Sequence, residues 1–370
     1  MVRSISPIAR AVTVFAVLAA APAAHAADIK LGLVLPMTGA NAGEGKDMQN
    51  AIELAVAAIN AQGGVIGDKI TTITADDACD PQQGAIAASK LVSSSVTAVI
   101  GGYCSGGVLP TLKIYGDANI PFIIVAANST KLVDANPGNT FLINSTGDAQ
   151  AETAIKLFRS KGFKTIAIVD EGDAYSSDLS KLTAADFTKD GGKVVATETT
   201  AAGEQDYSSL VSRIKEAKPD AVFWTAYYNG GSLLTKQLRQ AGYRGAIVLG
   251  DGNNSPDFLK IAGSAAQGAY LLSPPSVDFL PTTEAFRKDY VKANNQQPGA
   301  YAALSYDGTM LLADAIKRAK STDPKAIITA LKASSYEGLA GKVTFTPKNT
   351  LVGSNFVVLV DKDGKWTRAE

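Results

Sequence analysis

Buried-strand and helix patterns alternate along this chain, and the alternation occurs twice. The strand patterns of the first run cover residues 29–36, 71–76, 98–102 and 121–127. Those of the second run cover residues 165–170, 193–199, 221–227, 246–250 and 269–273. Continuous apolar strands joined by helices are typical of parallel sheets that helices cover on both faces. The sequence therefore predicts an α/β protein with two doubly wound parallel sheets.

The alternation of strand and helix patterns ends after the second run, at Pro274-Pro275. Three helical patterns and two short strand patterns follow, at residues 283–294, 301–319, 323–333, 342–346 and 356–361. Three helices without a sheet of their own do not form a separate domain easily, so we expect them to return and cover the first sheet. The chain would then cross between two lobes near residues 144–147, 273–276 and 347–353.

These crossings predict how the chain is divided. Lobe 1 would comprise residues 27–145 and 276–348, and lobe 2 would comprise residues 146–275 and 349–370. Two lobes also suit the chain length of 370 residues, because single hydrophobic cores rarely grow beyond about 250–300 residues. A ligand cleft is expected between the lobes.

The first residues have the pattern of a secretory leader. Arg3 and Arg10 precede or flank an apolar stretch at residues 11–21, and Ala24-His25-Ala26 has the small-x-small form of a cleavage site. Such a leader would direct export, and cleavage after Ala26 would leave Ala27 as the first residue of the exported protein. An uncleaved membrane anchor is the alternative, although the apolar stretch is short for a hydrocarbon layer of about 30 Å.

Composition excludes several classes of chemistry. The one histidine, His25, lies in the predicted leader, which excludes histidine-dependent nucleophiles and histidine metal ligands from an exported protein. The chain has 35 basic and 35 acidic residues, so no basic field favours nucleic acid or an anionic membrane. We expect no cofactor and no metal. A secreted hydrolase with paired acids, such as Glu44 and Asp251, is a weaker alternative.

The two cysteines, Cys79 and Cys104, belong to one strand–helix–strand segment. Two cysteines in an exported chain are most simply explained by one disulfide. Two free buried thiols are the alternative. Cys104 stands directly before a Ser-Gly-Gly turn at the end of a predicted strand, so the pair also marks a predicted binding edge.

Polar residues follow the predicted strands at their carboxyl ends, where open α/β sheets bind ligands. Ser105 and Asn128 follow strands of the first run, and Tyr175, Tyr227 and Asp251 follow strands of the second. Hydroxyl and amide groups at the start of helices suit a carboxylate. A carboxylate side chain opposite them suits an ammonium group. Together they predict an α-amino acid ligand; the alternative is that each residue caps a helix or turn.

Several stretches carry a family resemblance. They include residues 29–39, Ala-Ala-Ile-Asn-Ala-Gln-Gly-Gly at 57–64, Asp-Asp-Ala-Cys-Asp-Pro at 76–81 and residues 99–105. With them the chain resembles the periplasmic leucine/isoleucine/valine-binding proteins, the type I solute-binding subunits of ATP-driven (ABC) amino-acid importers. The resemblance implies two α/β lobes, three hinge crossings, a ligand in the cleft, a membrane permease as partner, a monomer, and no enzymatic activity.

The same resemblance implies roles for individual residues. It places the disulfide at Cys79 and Cys104. It also implies a ligand-carboxylate serine, a backbone-contacting alanine, a second carboxylate ligand, two pocket tyrosines and an ammonium-binding acid, at Ser105, Ala126, Asn128, Tyr175, Tyr227 and Asp251.

Departures from the family pattern affect the expected ligand. Glu44 stands where the family often has a tyrosine against the ligand side chain, and Tyr103 stands where it has an aliphatic residue. Asn128 has an amide where the family often has the hydroxyl of a threonine. The side chain of Asp251 is one methylene shorter than the glutamate that a leucine-binding member of the family has at this position. A buried acid does not suit leucine, so a polar, cationic or small amino acid is also expected if Glu44 lines the pocket; the alternative is that Glu44 points to solvent. A receptor of the same fold for amides, urea or an aromatic or small carboxylic acid is the alternative.

Overall fold

The computed structural model describes residues 1–2, 28–275, 277–280 and 283–369. Residues 3–26 of the predicted leader, the cleavage site after Ala26, and Ser276 in the second predicted crossing lie outside these residues. No helix within the described ranges has the length and apolar character needed to cross a membrane.

The first sheet contains five parallel strands in the order β2-β1-β3-β4-β5. Its strands are β1 (Ile29–Leu35), β2 (Ile70–Asp76), β3 (Ala98–Gly101), β4 (Phe122–Ile124) and β5 (Thr140–Leu142). Leu33 and Ile100 belong to one buried cluster, and the neighbouring Val34 and Val99 belong to another. Successive side chains of a strand point to opposite faces, so the sheet is covered on both sides, as predicted.

Five helices follow or join these strands: α1 (Ala42–Ala61), α2 (Pro81–Ser93), α3 (Ser105–Val108), α4 (Thr111–Asp117) and α5 (Thr130–Asp134). α1 buries an apolar stripe that includes Met48 and Ile52. Asp80 accepts hydrogen bonds from the backbone N–H groups of Gln82 and Gln83, and Pro81 occupies the first helical position, so α2 begins with two strong start signals.

The second sheet contains seven strands in the order β14-β13-β10-β9-β8-β6-β7. They are β6 (Thr165–Asp170), β7 (Lys193–Thr199), β8 (Ala221–Trp224), β9 (Ala246–Leu249), β10 (Tyr270–Ser273), β13 (Val357–Lys362) and β14 (Lys365–Arg368). The strands β6 to β10 pair in parallel, whereas β13 and β14 pair antiparallel at one edge. This differs from the purely parallel sheet predicted, because a short turn joins β13 to β14 and such a turn permits only antiparallel pairing.

Five helices accompany the second sheet: α6 (Gly147–Lys161), α7 (Ser176–Lys189), α8 (Ser208–Ala217), α9 (Tyr228–Gln240) and α10 (Pro256–Ala262). Buried side chains of β6 divide between two clusters, with Ala167 and Val169 in one and Ile166 and Ile168 in the other. Both faces of this sheet are therefore covered.

The last three helices are α11 (Glu284–Asn294), α12 (Ala302–Ala319) and α13 (Pro324–Lys332), followed by the hairpin of β11 (Ser335–Gly338) and β12 (Gly341–Thr344). Leu304 and Leu311 of α12 belong to the same buried cluster as Leu33 of β1. The Tyr290 hydroxyl of α11 donates to Asp47 of α1 across 2.6 Å. The returning helices thus pack on the first sheet; the lobe boundaries given above stay a prediction.

Candidate ligand-binding site

A small cavity lies where the carboxyl ends of the two sheets meet. Its walls are formed by Tyr103, Ser105, Ala126, Ala127, Asn128, Tyr175, Tyr227, Asp251, Gly252 and Tyr301. All of the residues predicted to bind the ligand except Glu44 are therefore brought together. The free space between them is about 10 Å³, which is room for about one water molecule. A larger ligand must therefore push the walls apart on entry.

One side of the cavity offers hydrogen-bond donors. Ser105 begins α3, and its hydroxyl oxygen accepts the backbone N–H of Ser129 at 3.3 Å, which leaves the Ser105 O–H free to donate. Within the described chain, the backbone N–H groups of Ser105 and Asn128 also donate to no protein acceptor. Buried N–H groups normally have partners, so these donors are suited to a ligand anion.

The opposite side is dominated by the carboxylate of Asp251. It follows β9 and is 2% exposed. Its Oδ1 accepts the Tyr175 hydroxyl at 2.7 Å, and its Oδ2 accepts the Tyr301 hydroxyl at 3.0 Å and the Asn128 amide at 3.1 Å. All of these donors are neutral. Asp251 takes part in none of the ion pairs among the described residues.

Burial raises the pKa of Asp251 above its ordinary value, and the hydrogen bonds from Tyr175 and Tyr301 oppose that rise. The direction of the shift means that the ionised carboxylate lacks sufficient compensation in its surroundings. A cation next to Oδ1, which has one hydrogen-bond partner in the structure, would supply it.

Four tyrosine rings enclose the space between these two sides. The Tyr103 ring lies 5.5 Å from that of Tyr301 and 5.8 Å from that of Tyr227, and the Tyr175 and Tyr227 rings are 5.4 Å apart, measured between centroids. Burial, together with the negative charges of Glu44 and Asp251, raises the pKa of Tyr103 well above its usual value. The rings therefore stay neutral and present both an apolar face and hydroxyl groups.

Amide side chains surround Asn128 and Asp251. Asn144 donates to the Ala126 carbonyl at 2.7 Å and lies 3.4 Å from Asp251 Oδ2. Gln150 accepts from the Asn128 amide at 3.3 Å. The Asn128 Oδ1 atom is buried, and no described group donates to it. It is therefore a further acceptor for a ligand donor.

Four residues of this site were not predicted from the sequence: Tyr301, Asn144, Gln150 and Gly252. Asn144 falls within a predicted crossing between the lobes. Its place in the site could have been predicted, because such crossings border the expected cleft. Tyr301 directly precedes α12, in the segment that returns from the second sheet. Nothing in its local pattern indicates which strand ends it meets.

Glu44 lies in a neighbouring groove, outside the walls of the tyrosine-lined cavity. It belongs to the first turn of α1, is 4% exposed, and shares the groove with Asp47, Ser255 and Asp257. The pKa of Glu44 is raised to about 7. Burial is the main cause, a hydrogen bond with Ser255 opposes the rise, and the charges of Asp47 and Asp257 add to it. Its proximity to the ligand side chain stays a prediction.

Cys79 and Cys104 form a disulfide, with their Cα atoms 5.2 Å apart, which confirms the predicted bond. It ties the start of α2 to the residue before Ser105. The Asn41 amide lies 3.5 Å from the Cys79 sulfur. The disulfide therefore anchors the donor side of the cavity to the first sheet.

The cavity as a whole has the polarity of a zwitterion receptor, with donors on one side and a buried carboxylate on the other. A sequence model of the periplasmic binding protein family matches residues 28–365. The chain belongs to this family. The type I periplasmic binding protein fold and the family resemblance predicted from the sequence are thereby confirmed.

Relatives of this binding protein cover almost its whole length. The Leu/Ile/Val-binding protein BraC3 of Rhizobium johnstonii is 32% identical over 362 residues, which are 97% of this chain and 98% of the relative. The leucine-binding protein LivK of Thermotoga maritima is 26% identical with a TM-score of 0.86, covering 92% of this chain and 98% of that one. LivJ of Streptococcus pneumoniae, solved with isoleucine, is 28% identical with a TM-score of 0.84, covering 93% and 99%.

Proposed function

We propose that this protein captures one α-amino acid between its two sheets and presents it to the permease of an ABC importer. The ligand carboxylate binds the donor side of the cavity, and the ligand ammonium binds Asp251. Closure of two lobes on a ligand is a recognised transition of this fold class. The protein acts as a receptor and leaves the amino acid chemically unchanged.

The observation that carries this proposal is the environment of Asp251. A carboxylate this deeply buried is costly unless a cation or enough donors compensate it. The described surroundings supply neutral hydroxyl and amide donors only. An ammonium group entering beside Oδ1 would form a charge-assisted hydrogen bond and complete the compensation.

The donor side supports the other half of the zwitterion. The free O–H of Ser105 and the free N–H groups of Ser105 and Asn128 converge on the same cavity as Asp251. Three donors fall within the acceptor capacity of one carboxylate, which has about four lone-pair sites. The Asn128 Oδ1 atom could accept a second proton of the ammonium group.

The side chain of the ligand would contact the tyrosine rings. The relatives are named for leucine, isoleucine and valine, so these are the first amino acids to test. Apart from the polar groups already described, the cavity walls consist of alanine, glycine and tyrosine, and no described residue of the walls has a branched aliphatic side chain. Small or polar amino acids therefore belong in the same test.

An aromatic carboxylic acid is the alternative ligand, since the four tyrosine rings could stack against an aromatic ring. Such a ligand would bind the donor side equally well. It would leave Asp251 buried without a cation, which is why we favour the amino acid.

The cellular setting follows from the same proposal. The protein is exported by the predicted leader, is cleaved after Ala26, and acts in the periplasm as a monomer. The closed form is the one that the permease recognises.

Matched ligand pairs test the proposal directly. Calorimetric titration should compare L-leucine with 4-methylpentanoate and L-alanine with propanoate, with benzoate as the aromatic probe. These pairs differ chiefly in the α-ammonium group. We expect binding of at least one amino acid and a loss of at least tenfold for its deaminated partner. Equal binding of both members, or binding of benzoate alone, would contradict the proposal.

A further inference from the structure

The carboxylate of Asp178 lies outside the cavity but contacts the loop that supplies Asn128. Asp178 is in the first turn of α7 and is 8% exposed. Its Oδ2 accepts the Ser129 hydroxyl at 2.8 Å and the Thr130 backbone N–H at 2.6 Å, and its Oδ1 accepts the Thr130 hydroxyl at 2.9 Å. These three donors come from the two residues directly after Asn128.

Residues 128–130, which we call the donor loop, also contact the ligand-binding groups on both sides of the cavity. The Ser129 N–H donates to the Ser105 hydroxyl, and the Asn128 amide donates to Asp251. A displacement of the donor loop would therefore move Asn128 relative to both Ser105 and Asp251.

The contact joins elements of the two sheets. The donor loop follows β4 of the first sheet, whereas α7 follows β6 of the second. Tyr175, which lines the cavity, directly precedes α7. The Lys131 ammonium reaches the Ser177 hydroxyl at 3.3 Å in the same junction. Asp178 thus ties a donor-side loop to the helix that positions a pocket tyrosine.

Asp178 does not cap the N-terminus of its own helix, α7. An acidic residue in the first turn often serves its own helix. Here Asp173 accepts the backbone N–H groups of Tyr175 at 2.8 Å and Ser176 at 3.3 Å. The oxygens of Asp178 are directed to Ser129 and Thr130 instead.

The negative charge of Asp178 favours its contact with the donor loop. Among the described ion pairs none includes Asp178, so the donor loop provides the side-chain and backbone donors that compensate its charge. Hydrogen bonds to a carboxylate are stronger than those between neutral groups. Separation of the donor loop from α7 would leave a buried charge with too few partners unless water enters.

We propose that Asp178 is a positioning residue that holds the donor loop against α7 and so sets the distance between the two halves of the ligand site. This inference rests on the proposed function, because it assigns Asp178 a part in ligand affinity without contact to the ligand. Since Asp178 is not among the residues that line the cavity, its loss should weaken every ligand by the same factor.

The affinity test uses Asp178→Asn, Thr130→Val and the double variant, each titrated with L-leucine, L-valine, L-threonine and L-alanine well below its melting temperature. Asp186→Asn, an exposed acid on the same helix, is the matched control. We expect Asp178→Asn to weaken each bound amino acid by about tenfold, with an unchanged order of preference. The double variant should lose little more than Asp178→Asn alone, since both substitutions break one contact. Unchanged affinity, additive losses or an altered order of preference would overturn the proposal.

A second measurement needs no ligand. Because the donor loop and α7 belong to different predicted lobes, hydrogen exchange of the Thr130 amide reports how often their contact opens. It should be faster in ligand-free Asp178→Asn than in the wild type and in Asp186→Asn, while amides in β1 stay protected in all three. Equal exchange at Thr130 would show that Asp178 does not hold the loop. If the wild type binds none of the amino acids, the proposed function fails, and this second measurement still decides the role of Asp178.

Discussion

The side-chain amide of Asn128 donates to the carboxylate of Asp251 across 3.1 Å. Asn128 follows β4 of the first sheet and Asp251 follows β9 of the second, so this hydrogen bond joins the two edges at the cavity. Asn128 can therefore serve both ends of a zwitterion, through its backbone N–H and its side-chain Oδ1. The carboxylate and ammonium positions are thereby coupled, and a change at either residue is expected to affect the other.

Asp251→Asn tests the ammonium position. The amide has the shape of the carboxylate but no charge, so the ligand ammonium loses its ionic partner. We expect the affinity for the amino acid that binds the wild type to fall by at least 30-fold, about 2 kcal/mol. Calorimetry gives the affinity, and the melting temperature of the ligand-free variant shows that the fold is retained. Unchanged affinity would remove Asp251 from the ligand site.

Ser105→Ala tests the carboxylate position. It removes one donor to the ligand and the acceptor of the Ser129 N–H. We expect affinity to fall about tenfold, with the larger part of the loss in the dissociation rate. Ser93→Ala, in the exposed part of α2, is the control and should bind like the wild type. Equal affinities of the two variants would show that Ser105 does not contact the ligand.

The sheets could be predicted because strands buried on both faces read as continuous apolar runs, as in β6 and β8. The edge strand β14 was not predicted. Its sequence, Lys-Trp-Thr-Arg, has exposed charged residues at both ends and two half-buried residues between them, so it shows neither a continuous apolar run nor a period of two. β5 (Thr140–Leu142) was missed for a different reason, because its apolar run covers only residues 141–143, whereas β4, which is equally short, lies within the apolar run 120–127. Strands with a short apolar run or with exposed side chains therefore could not be predicted from the hydrophobic pattern.

The site could be predicted where its residues follow strands, as Ser105 and Asp251 do. Tyr301 could not be found this way, because it reaches Asp251 from the beginning of α12, 50 positions further along the chain. That contact depends on how the returning helices pack on the first sheet. Asp178 gives no local signal either, since an acid in the first turn of a helix is common for reasons unrelated to ligands.

Removal of the disulfide should affect both stability and binding. Cys79 and Cys104 are 25 positions apart, and closing a loop of that length contributes roughly 3–4 kcal/mol in the chain-entropy account. We expect the double variant Cys79→Ala, Cys104→Ala to melt several degrees lower and to bind more weakly, because Cys104 precedes Ser105. Calorimetric scans with and without reductant measure this. A reductant should lower the melting temperature of the wild type and leave that of the double variant unchanged. An equal effect on both would contradict a stabilising disulfide between Cys79 and Cys104.

Glu44 should make stability depend on pH. Its pKa of about 7 in the folded protein lies above the ordinary value of 4.5, so the folded state binds the proton more tightly than the unfolded state. The associated stability is complete below about pH 4.5 and is lost as the pH rises through 7, by up to roughly 3 kcal/mol. Glu44→Gln keeps the shape without the charge, so we expect it to melt a few degrees higher than the wild type at pH 8 and at nearly the same temperature at pH 5.

Glu216→Gln, at an exposed position, controls for the general loss of one acid and should show no such difference. A Glu44→Gln advantage of equal size at both pH values would mean that the Glu44 carboxyl does not titrate in this range, and the cause would then be packing.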